Sequence, residues 1–176
     1  RGFIWAGSHN QGLVCLDPEK GTLTWYRHLP NDANSLSHDA VSAIAEDNSA
    51  NIWIATSGGG LNMLEPRTRK WMHIKEQTGR PETAGLNQIS GIVVDEEGII
   101  WIATTEYGIV CYNPLSKQFS TFRNDPGDMS SLSGDYLLRI YKDSQGDIWL
   151  GSWGGGLNRY DRENNCFERF MYHPNN

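Results

Sequence analysis

The sequence predicts an all-β protein built from repeated four-stranded antiparallel units. Tryptophan recurs every 48 residues, and a glycine followed by an aliphatic residue recurs in the same phase. The interval leaves no room for a helix in the core of a unit, and the 176 residues hold about 3.7 units. The repeated tryptophans are Trp5, Trp53, Trp101 and Trp149, and the repeated glycines are Gly12, Gly60, Gly108 and Gly156.

The second unit shows how one repeat divides into strands. It has four short runs of apolar, β-branched and aromatic residues bounded by turn residues, at 40–46, 51–56, 60–65 and 70–75. An aspartate at 47, 95 and 143 ends the first strand of three units, where its carboxylate can accept hydrogen bonds from the backbone of its own turn. The repeated glycine begins the third strand, at a place where a side chain would crowd the turn.

A four-stranded antiparallel unit repeated at this interval is typical of a β-propeller blade, with the first strand lining a central channel and the fourth strand outermost. We therefore expect residues 1–176 to form a partial β-propeller whose first blade lacks its inner strand. The predicted bounds are 1–27 for strands b to d of blade 1, 40–75 for blade 2, 88–123 for blade 3 and 136–172 for blade 4.

Composition argues against several classes of function. The net charge is −6 and the chain has no basic run, so nucleic acid is not an expected partner. The five histidines have no zinc-ligand spacing, and the turn aspartates lack the pattern of a calcium loop, so we expect neither a metal nor a cofactor. The three cysteines are interpreted as unpaired small apolar residues.

Three stretches, NIWIATSGGGLNMLEPRTRKW at 51–71, DEEGIIWIATTEYGIVCYNP at 95–114 and DSQGDIWLGSWGGGLNRYD at 143–161, resemble the two-component regulator propeller repeat. The resemblance implies a non-catalytic sensor region, located in the periplasm, of a Bacteroidetes hybrid two-component sensor histidine kinase. It implies an oligosaccharide or other small-molecule ligand, further blades in the parent protein, and contact with a membrane only through that parent.

The predicted ligand site lies on the rim where the d–a and b–c loops meet. Between strand b and the repeated glycine the four units differ in sequence, so the scaffold does not dictate these residues. Tyr107 and Trp153 offer flat apolar faces for sugar rings, and Glu106, His9 and Asn10 offer polar groups for hydroxyls. The alternative is that these aromatics cover a blade edge or pack against the rest of the protein.

Arg139 is a further candidate, because its repeat equivalents in the inner strand are Ala43 and Gly91. A guanidinium that projects into the channel can hold a carboxylate or sulfate in a fork. The alternative is a structural ion pair with a neighbouring acid.

Two other functions remain open at this point. One is a propeller enzyme of the streptogramin-lyase type, which needs histidine and glutamate at the channel mouth; no inner strand carries a histidine here. The other is a structural or dimerisation scaffold. Because a partial ring leaves two apolar blade faces bare, we also expect a homo-oligomer, with two copies joined head to tail into a ring of about eight blades.

Overall fold

The computed structural model describes residues 2–171, which form β-strands joined by turns and one short 3₁₀ helix, Pro81–Thr83. The predicted end of blade 4, residue 172, lies outside the described residues. In chain order the strands are β1 Ile4–Gly7, β2 Leu13–Asp17, β3 Thr22–Tyr26, β4 Val41–Glu46, β5 Ile52–Thr56, β6 Gly60–Glu65, β7 Lys70–Ile74, β8 Ile89–Val94, β9 Ile100–Thr104, β10 Ile109–Asn113, β11 Gln118–Phe122, β12 Leu137–Lys142, β13 Ile148–Ser152, β14 Gly156–Asp161 and β15 Cys166–Phe170.

These strands form four antiparallel sheets, each made of consecutive strands. Sheet 1 has the order β1-β2-β3, sheet 2 β4-β5-β6-β7, sheet 3 β8-β9-β10-β11 and sheet 4 β12-β13-β14-β15. Sheets 2 to 4 have four strands each, whereas sheet 1 has three and begins at the strand equivalent to β5. The predicted all-β class, with four-stranded antiparallel blades and a first blade without its inner strand, is confirmed.

The core lies between the sheets, because alternate residues of each strand face opposite neighbours. In β5, Ile52 and Ile54 pack in the core shared with sheet 1, whereas Trp53 and Ala55 pack in the core shared with sheet 3. Trp101 repeats this arrangement between sheets 3 and 4. Each repeated tryptophan therefore lies on the face that points to the following sheet.

The inner strands β4, β8 and β12 lie side by side, as expected for the centre of a propeller. Small residues allow this close approach. A Cβ atom added to Gly91 of β8 would lie 2.9 Å from Cγ2 of Ile140 in β12, which is closer than side-chain carbons approach one another. The inner strands therefore tolerate little bulk on their facing surfaces.

Two sheet faces have no neighbour among the described residues. The open face of sheet 4 carries Trp149 and Tyr141, the latter with 64% of its surface exposed. The open face of sheet 1 carries Leu23 and Trp25, both at least half exposed. Both faces expose apolar side chains, and the face of sheet 4 also carries Arg139 and the ion pair between Arg159 and Glu168.

Candidate ligand-binding rim

Backbone hydrogen bonds join the b–c loop of each sheet to nearby d–a loops at one end of the structure. The amide of Val41 donates to the carbonyl of Ser8 at 2.8 Å, and the amide of Ser57 donates to the carbonyl of Ala40 at 2.8 Å. The series continues across sheets 3 and 4. We call this surface the rim, and it comprises residues 8–12, 39–41, 57–60, 87–88, 105–108, 135–136 and 153–156.

The repeated glycine fixes the path of each b–c loop. Gly108 has a φ of +67°, and a Cβ atom at this position would overlap the carbonyl oxygen of Phe122. The amide of Gly108 donates to the carbonyl of Asp135 at 3.0 Å, which ties the loop to the start of the next sheet. The scaffold thus holds the loop closely while leaving the residues before the glycine free to vary.

Three aromatic side chains follow one another along the rim over sheets 3 and 4. Tyr107 precedes the Gly108–Asp135 hydrogen bond, Tyr136 follows it, and the amide of Trp153 donates to the carbonyl of Tyr136 at 2.8 Å. The rings of Tyr136 and Trp153 are 6.2 Å apart between centroids and tilted by 57°. Trp153 is 73% exposed and Tyr136 is 46% exposed, so their faces are open to solvent. We call Tyr107, Tyr136 and Trp153 the aromatic row.

A cation flanks one end of the aromatic row. The guanidinium carbon of Arg123 lies 5.1 Å from the ring centroid of Tyr107, within the range of a cation–π interaction. Glu106 is exposed beside Tyr107. This end of the row therefore combines a half-buried ring with one basic and one acidic side chain.

His9 and Asn10 lie on the b–c loop of sheet 1, and both are exposed. The amide of Asn10 donates to Oγ of Ser8 at 3.3 Å, which closes the loop on itself. The rim loops of sheet 2 separate this loop from the aromatic row. The structure thus pairs Trp153 with Tyr136, places Tyr107 and Glu106 on the neighbouring loop of sheet 3, and leaves His9 and Asn10 apart from them on sheet 1.

Arg139 lies in the inner strand β12 as expected, but its side chain lines the open face of sheet 4 instead of projecting into the channel. It lies on this face together with Tyr141, Trp149 and Leu157. The cause is strand alternation, since its equivalent Ala43 packs in the core between sheets 2 and 3. Its Nη1 donates to the carbonyl of Leu138 at 2.7 Å, and none of its described contacts is with an acid.

Sequence reasoning missed Tyr136. Its repeat equivalents are Ala40 and Gln88, so the column changes to an aromatic in the last unit only. That difference is the same kind of signal that pointed to Trp153. The comparison between units that pointed to Trp153 covered the b–c loops, whereas Tyr136 lies on a d–a loop of the same rim.

The rim can bind by stacking and hydrogen bonding. Among residues 2–171, no three histidine, cysteine, aspartate or glutamate side chains are grouped closely enough to hold a metal ion. Within the same range, no helix is long and apolar enough to cross a membrane. The chemistry of the aromatic row is that of flat apolar surfaces next to polar groups, which suits the faces of sugar rings.

Comparison with solved structures gives the same fold. The extracellular domain of the hybrid two component system BT3049 from B. thetaiotaomicron matches with a TM-score of 0.79 and 24% identity, covering 96% of this chain and 22% of that chain. The equivalent domain of BT4673 from the same organism matches with a TM-score of 0.70 and 28% identity, covering 96% of this chain and 23% of that one. This chain therefore spans less than a quarter of the length of these two solved chains.

Virginiamycin B lyase from Staphylococcus aureus also shares the fold, with a TM-score of 0.68 and 16% identity, covering 97% of this chain and 52% of the lyase. At this identity the likeness concerns the fold alone. No curated protein matches the sequence significantly.

A family model identifies the repeats themselves. Two segments, residues 85–106 and 131–154, match the model of the two component regulator propeller. The matches cover the first two strands of sheets 3 and 4 with their repeated tryptophans. The second match also includes Tyr136 and Trp153 of the aromatic row. Residues 85–106 and 131–154 thus resemble two component regulator propeller repeats, within a chain whose four sheets share one strand pattern.

Proposed function

We propose that this chain is part of a non-catalytic sensor propeller in the periplasmic region of a hybrid two-component sensor kinase, and that its rim binds a glycan-derived ligand. The family of the matched repeats and the extracellular domains that share the fold support a sensor role. The observation that carries ligand binding is the aromatic row, in which Tyr136 and Trp153 expose ring faces side by side.

Several physical features of the row support a carbohydrate ligand. Exposed aromatic rings on a rigid loop supply large apolar contact area at a low cost in side-chain entropy. Trp153 and Tyr136 are fixed to each other by a backbone hydrogen bond of 2.8 Å, so the two rings are held in place before a ligand arrives. Polar groups for hydroxyls lie at the Tyr107 end, on Arg123 and Glu106.

A glycan array probed with this chain tests the proposal, followed by calorimetric titration of any oligosaccharide retained. We expect saturable binding that Trp153→Ala and Tyr136→Ala each weaken by about tenfold. Stacking of a ring on an aromatic side chain contributes on the order of 1–3 kcal/mol to binding. Tyr141→Ala is the matched control, since it removes an exposed tyrosine from the open face of sheet 4. Equal binding by the three variants would contradict a ligand site at the aromatic row.

Association with a second copy is a further candidate role, favoured by the two open faces. In each contact between sheets, the face that carries the repeated tryptophan packs on the next sheet. The open face of sheet 4 carries Trp149, and the open face of sheet 1 carries the apolar residues that a preceding sheet would cover. We propose that two copies pair these faces head to tail.

A further inference from the structure

One cross-strand pair, between the third and fourth strands, differs in every sheet. The two residues face each other in register beside the repeated tryptophan. The pairs are Cys15–Thr24 in sheet 1, Met63–Met72 in sheet 2, Cys111–Ser120 in sheet 3 and Arg159–Glu168 in sheet 4.

The pair lies in the space between two neighbouring sheets, and its size differs between sheets 2 and 3. Between sheets 2 and 3, Met63 and Met72 both pack against the core that contains Trp53. Between sheets 3 and 4, the same positions hold the much smaller Cys111 and Ser120, and a cavity of about 310 Å³ opens to solvent. We call this cavity the interblade groove.

The fold does not require the groove to be open. Sheet 2 shows that the same backbone positions accept two methionines, which would remove apolar surface from water. Native cores rarely leave such space unfilled, because apolar atoms that line a void lose packing contacts. A volume of this size also lies within the range of small-ligand sites.

The floor of the groove is aromatic, with the carboxylate of Asp95 hydrogen-bonded to Trp101 at its edge, as Asp47 is to Trp53 beside the methionine pair of sheet 2. Trp101 stacks on Phe122 with 5.6 Å between ring centroids and 4° between planes, and its centroid lies 4.6 Å from that of Tyr160. Cys111 lies at the base, where burial raises the pKa of its thiol and keeps it in the neutral form. The floor therefore resembles the apolar surroundings of the methionine pair in sheet 2.

The mouth of the groove carries polar groups with hydrogen-bonding capacity to spare. Asn113 lines the mouth, and its Oδ1 accepts from the amides of Leu115 at 2.9 Å and Ser116 at 3.1 Å, so these two bonds do not use its Nδ2. Gln118 is exposed at the same edge. Arg162 of sheet 4 and Glu97 of sheet 3 join across the mouth at 3.2 Å, so the charges there balance.

We propose that the interblade groove binds an unbranched apolar side chain of the methionine type, carried by a peptide whose amide groups bond to Asn113 and Gln118. The occupant is identified by the chain itself, since two methionine side chains fill the equivalent space between sheets 2 and 3. The neutral donors and acceptors at the mouth suit peptide amides better than a charged group. This site is separate from the rim and does not depend on glycan binding there.

The test uses N-acetyl-L-methionine amide as the probe. Its binding is measured by two-dimensional NMR of the isotope-labelled chain. We expect saturable shift changes confined to residues around the groove, in particular the amides of 115–120 and 160–165. N-acetyl-L-serine amide has the same peptide groups without the apolar side chain, and we expect at least about tenfold weaker binding from it. Equal response to both probes would overturn the assignment of an apolar side chain.

The Cys111→Met/Ser120→Met variant copies sheet 2 and should fill the groove. We expect its affinity for the methionine probe to fall at least about tenfold while its thermal stability is kept or raised. Ser120→Met alone serves if the double variant does not fold. Thr24→Met is the matched control, because Thr24 holds the equivalent position in sheet 1, and its affinity should stay within about twofold of the native value.

Unchanged probe binding in the filled variant, or shift changes located elsewhere, would exclude the groove as the site. Trp153→Ala separates this proposal from the rim proposal, since it removes a member of the aromatic row and should leave the probe's affinity unchanged. A chain that binds glycans at the rim but not the probe would refute the groove alone.

Discussion

Nε1 of Trp101 donates a hydrogen bond of 2.8 Å to Oδ2 of Asp95, and both residues are at least 95% buried. Oδ1 of the same carboxylate accepts from the amides of Glu97 at 3.0 Å and Ile99 at 2.9 Å. One aspartate therefore closes the turn between β8 and β9 and orients the tryptophan that packs against sheet 4. The same bond recurs in sheets 2 and 4.

Removal of this carboxylate should lower stability substantially. For Asp95→Ala we expect a loss of about 2–3 kcal/mol in the free energy of unfolding, because a buried indole N–H and two turn amides lose a charged acceptor. Urea denaturation followed by fluorescence measures it. Trp101→Phe and the double mutant complete a cycle, in which the coupling energy should be at least about 1 kcal/mol. Additive losses would show that the hydrogen bond contributes little. Glu163→Ala, an exposed change, is the control.

Asp143 should make stability depend on pH. The indole N–H of Trp149 and nearby turn amides donate to its carboxylate, and these bonds lower the pKa of Asp143 below its ordinary value of 3.8. A lowered pKa in the folded state stabilises the fold above the unfolded pKa, and this stabilisation is lost as pH falls through the folded value. We therefore expect the melting temperature to fall between about pH 5 and about pH 2, and less steeply for Asp143→Asn. Parallel curves for the two proteins would contradict the assignment.

The repeated glycine combines two constraints that a matched pair of substitutions can separate. Gly108 and Gly98 both have positive φ, at +67° and +81°, but only Gly108 lies against backbone that a Cβ atom would overlap. We expect Gly98→Ala to cost about 1–2 kcal/mol from the backbone conformation alone. Gly108→Ala should cost more than about 2 kcal/mol, because the loop must also move away from Phe122. Chemical denaturation measures both, and equal costs would show that close approach has no effect.

Most of the architecture could be predicted from the sequence, because each residue that recurs at the same place in every repeat has one structural cause. The tryptophan column marks the face that points to the next sheet, and the glycine column marks a turn that only glycine fits without overlap. Strand count and order followed from the period. The bond from Trp101 to Asp95 was missed, because a spacing of six residues does not show that a turn brings the two side chains together.

The candidate site was harder to predict, because it depends on where side chains point. Arg139 was assigned to the correct strand, but the face on which it lies is set by the alternation along β12 after an irregular pairing near Leu137. The interblade groove depends on two residues, Cys111 and Ser120, that lie on consecutive strands and become neighbours through strand register. A position where the four repeats differ in sequence can be located from the sequence. Whether the smaller residues leave a cavity there is shown only by the packing of the sheets.

Buried asparagine in sheets 2 and 4 has a loop-specific role. Oδ1 of Asn158 accepts from the amide of Ser133 at 2.9 Å, and its Nδ2 donates to Oγ of the same serine at 2.9 Å. In sheet 3 the equivalent residue is Val110, and the preceding loop is two residues longer. We expect Asn158→Val to lower the free energy of unfolding by about 1–3 kcal/mol, because Ser133 loses both hydrogen bonds to Asn158. The loop before sheet 4 also lacks the two extra residues that accompany valine in sheet 3. Thermal melting measures the loss, and Asn48→Ala, an exposed change, is the control.

The open faces predict concentration-dependent association. The open face of sheet 4 presents Trp149, Tyr141 and Leu157 to solvent, whereas the equivalent tryptophan of sheet 3 is almost fully buried by sheet 4. Apolar surface of this kind associates when a complementary surface is present. The open face of sheet 1 is equivalent to the faces of sheets 2 to 4 that pack on the preceding sheet. We expect a dimer in light scattering and sedimentation experiments.

Tyr141→Asp should weaken the dimer at least about tenfold, because it places a charge in the centre of the contact. Leu115→Asp introduces the same charge on a turn where the leucine is 91% exposed, so it should leave association unchanged. The pairing is directional, because the tryptophan face of one copy meets the opposite kind of face on the other. A chain that stays monomeric at all concentrations, or two variants that dissociate equally, would show that the open faces do not recognise each other.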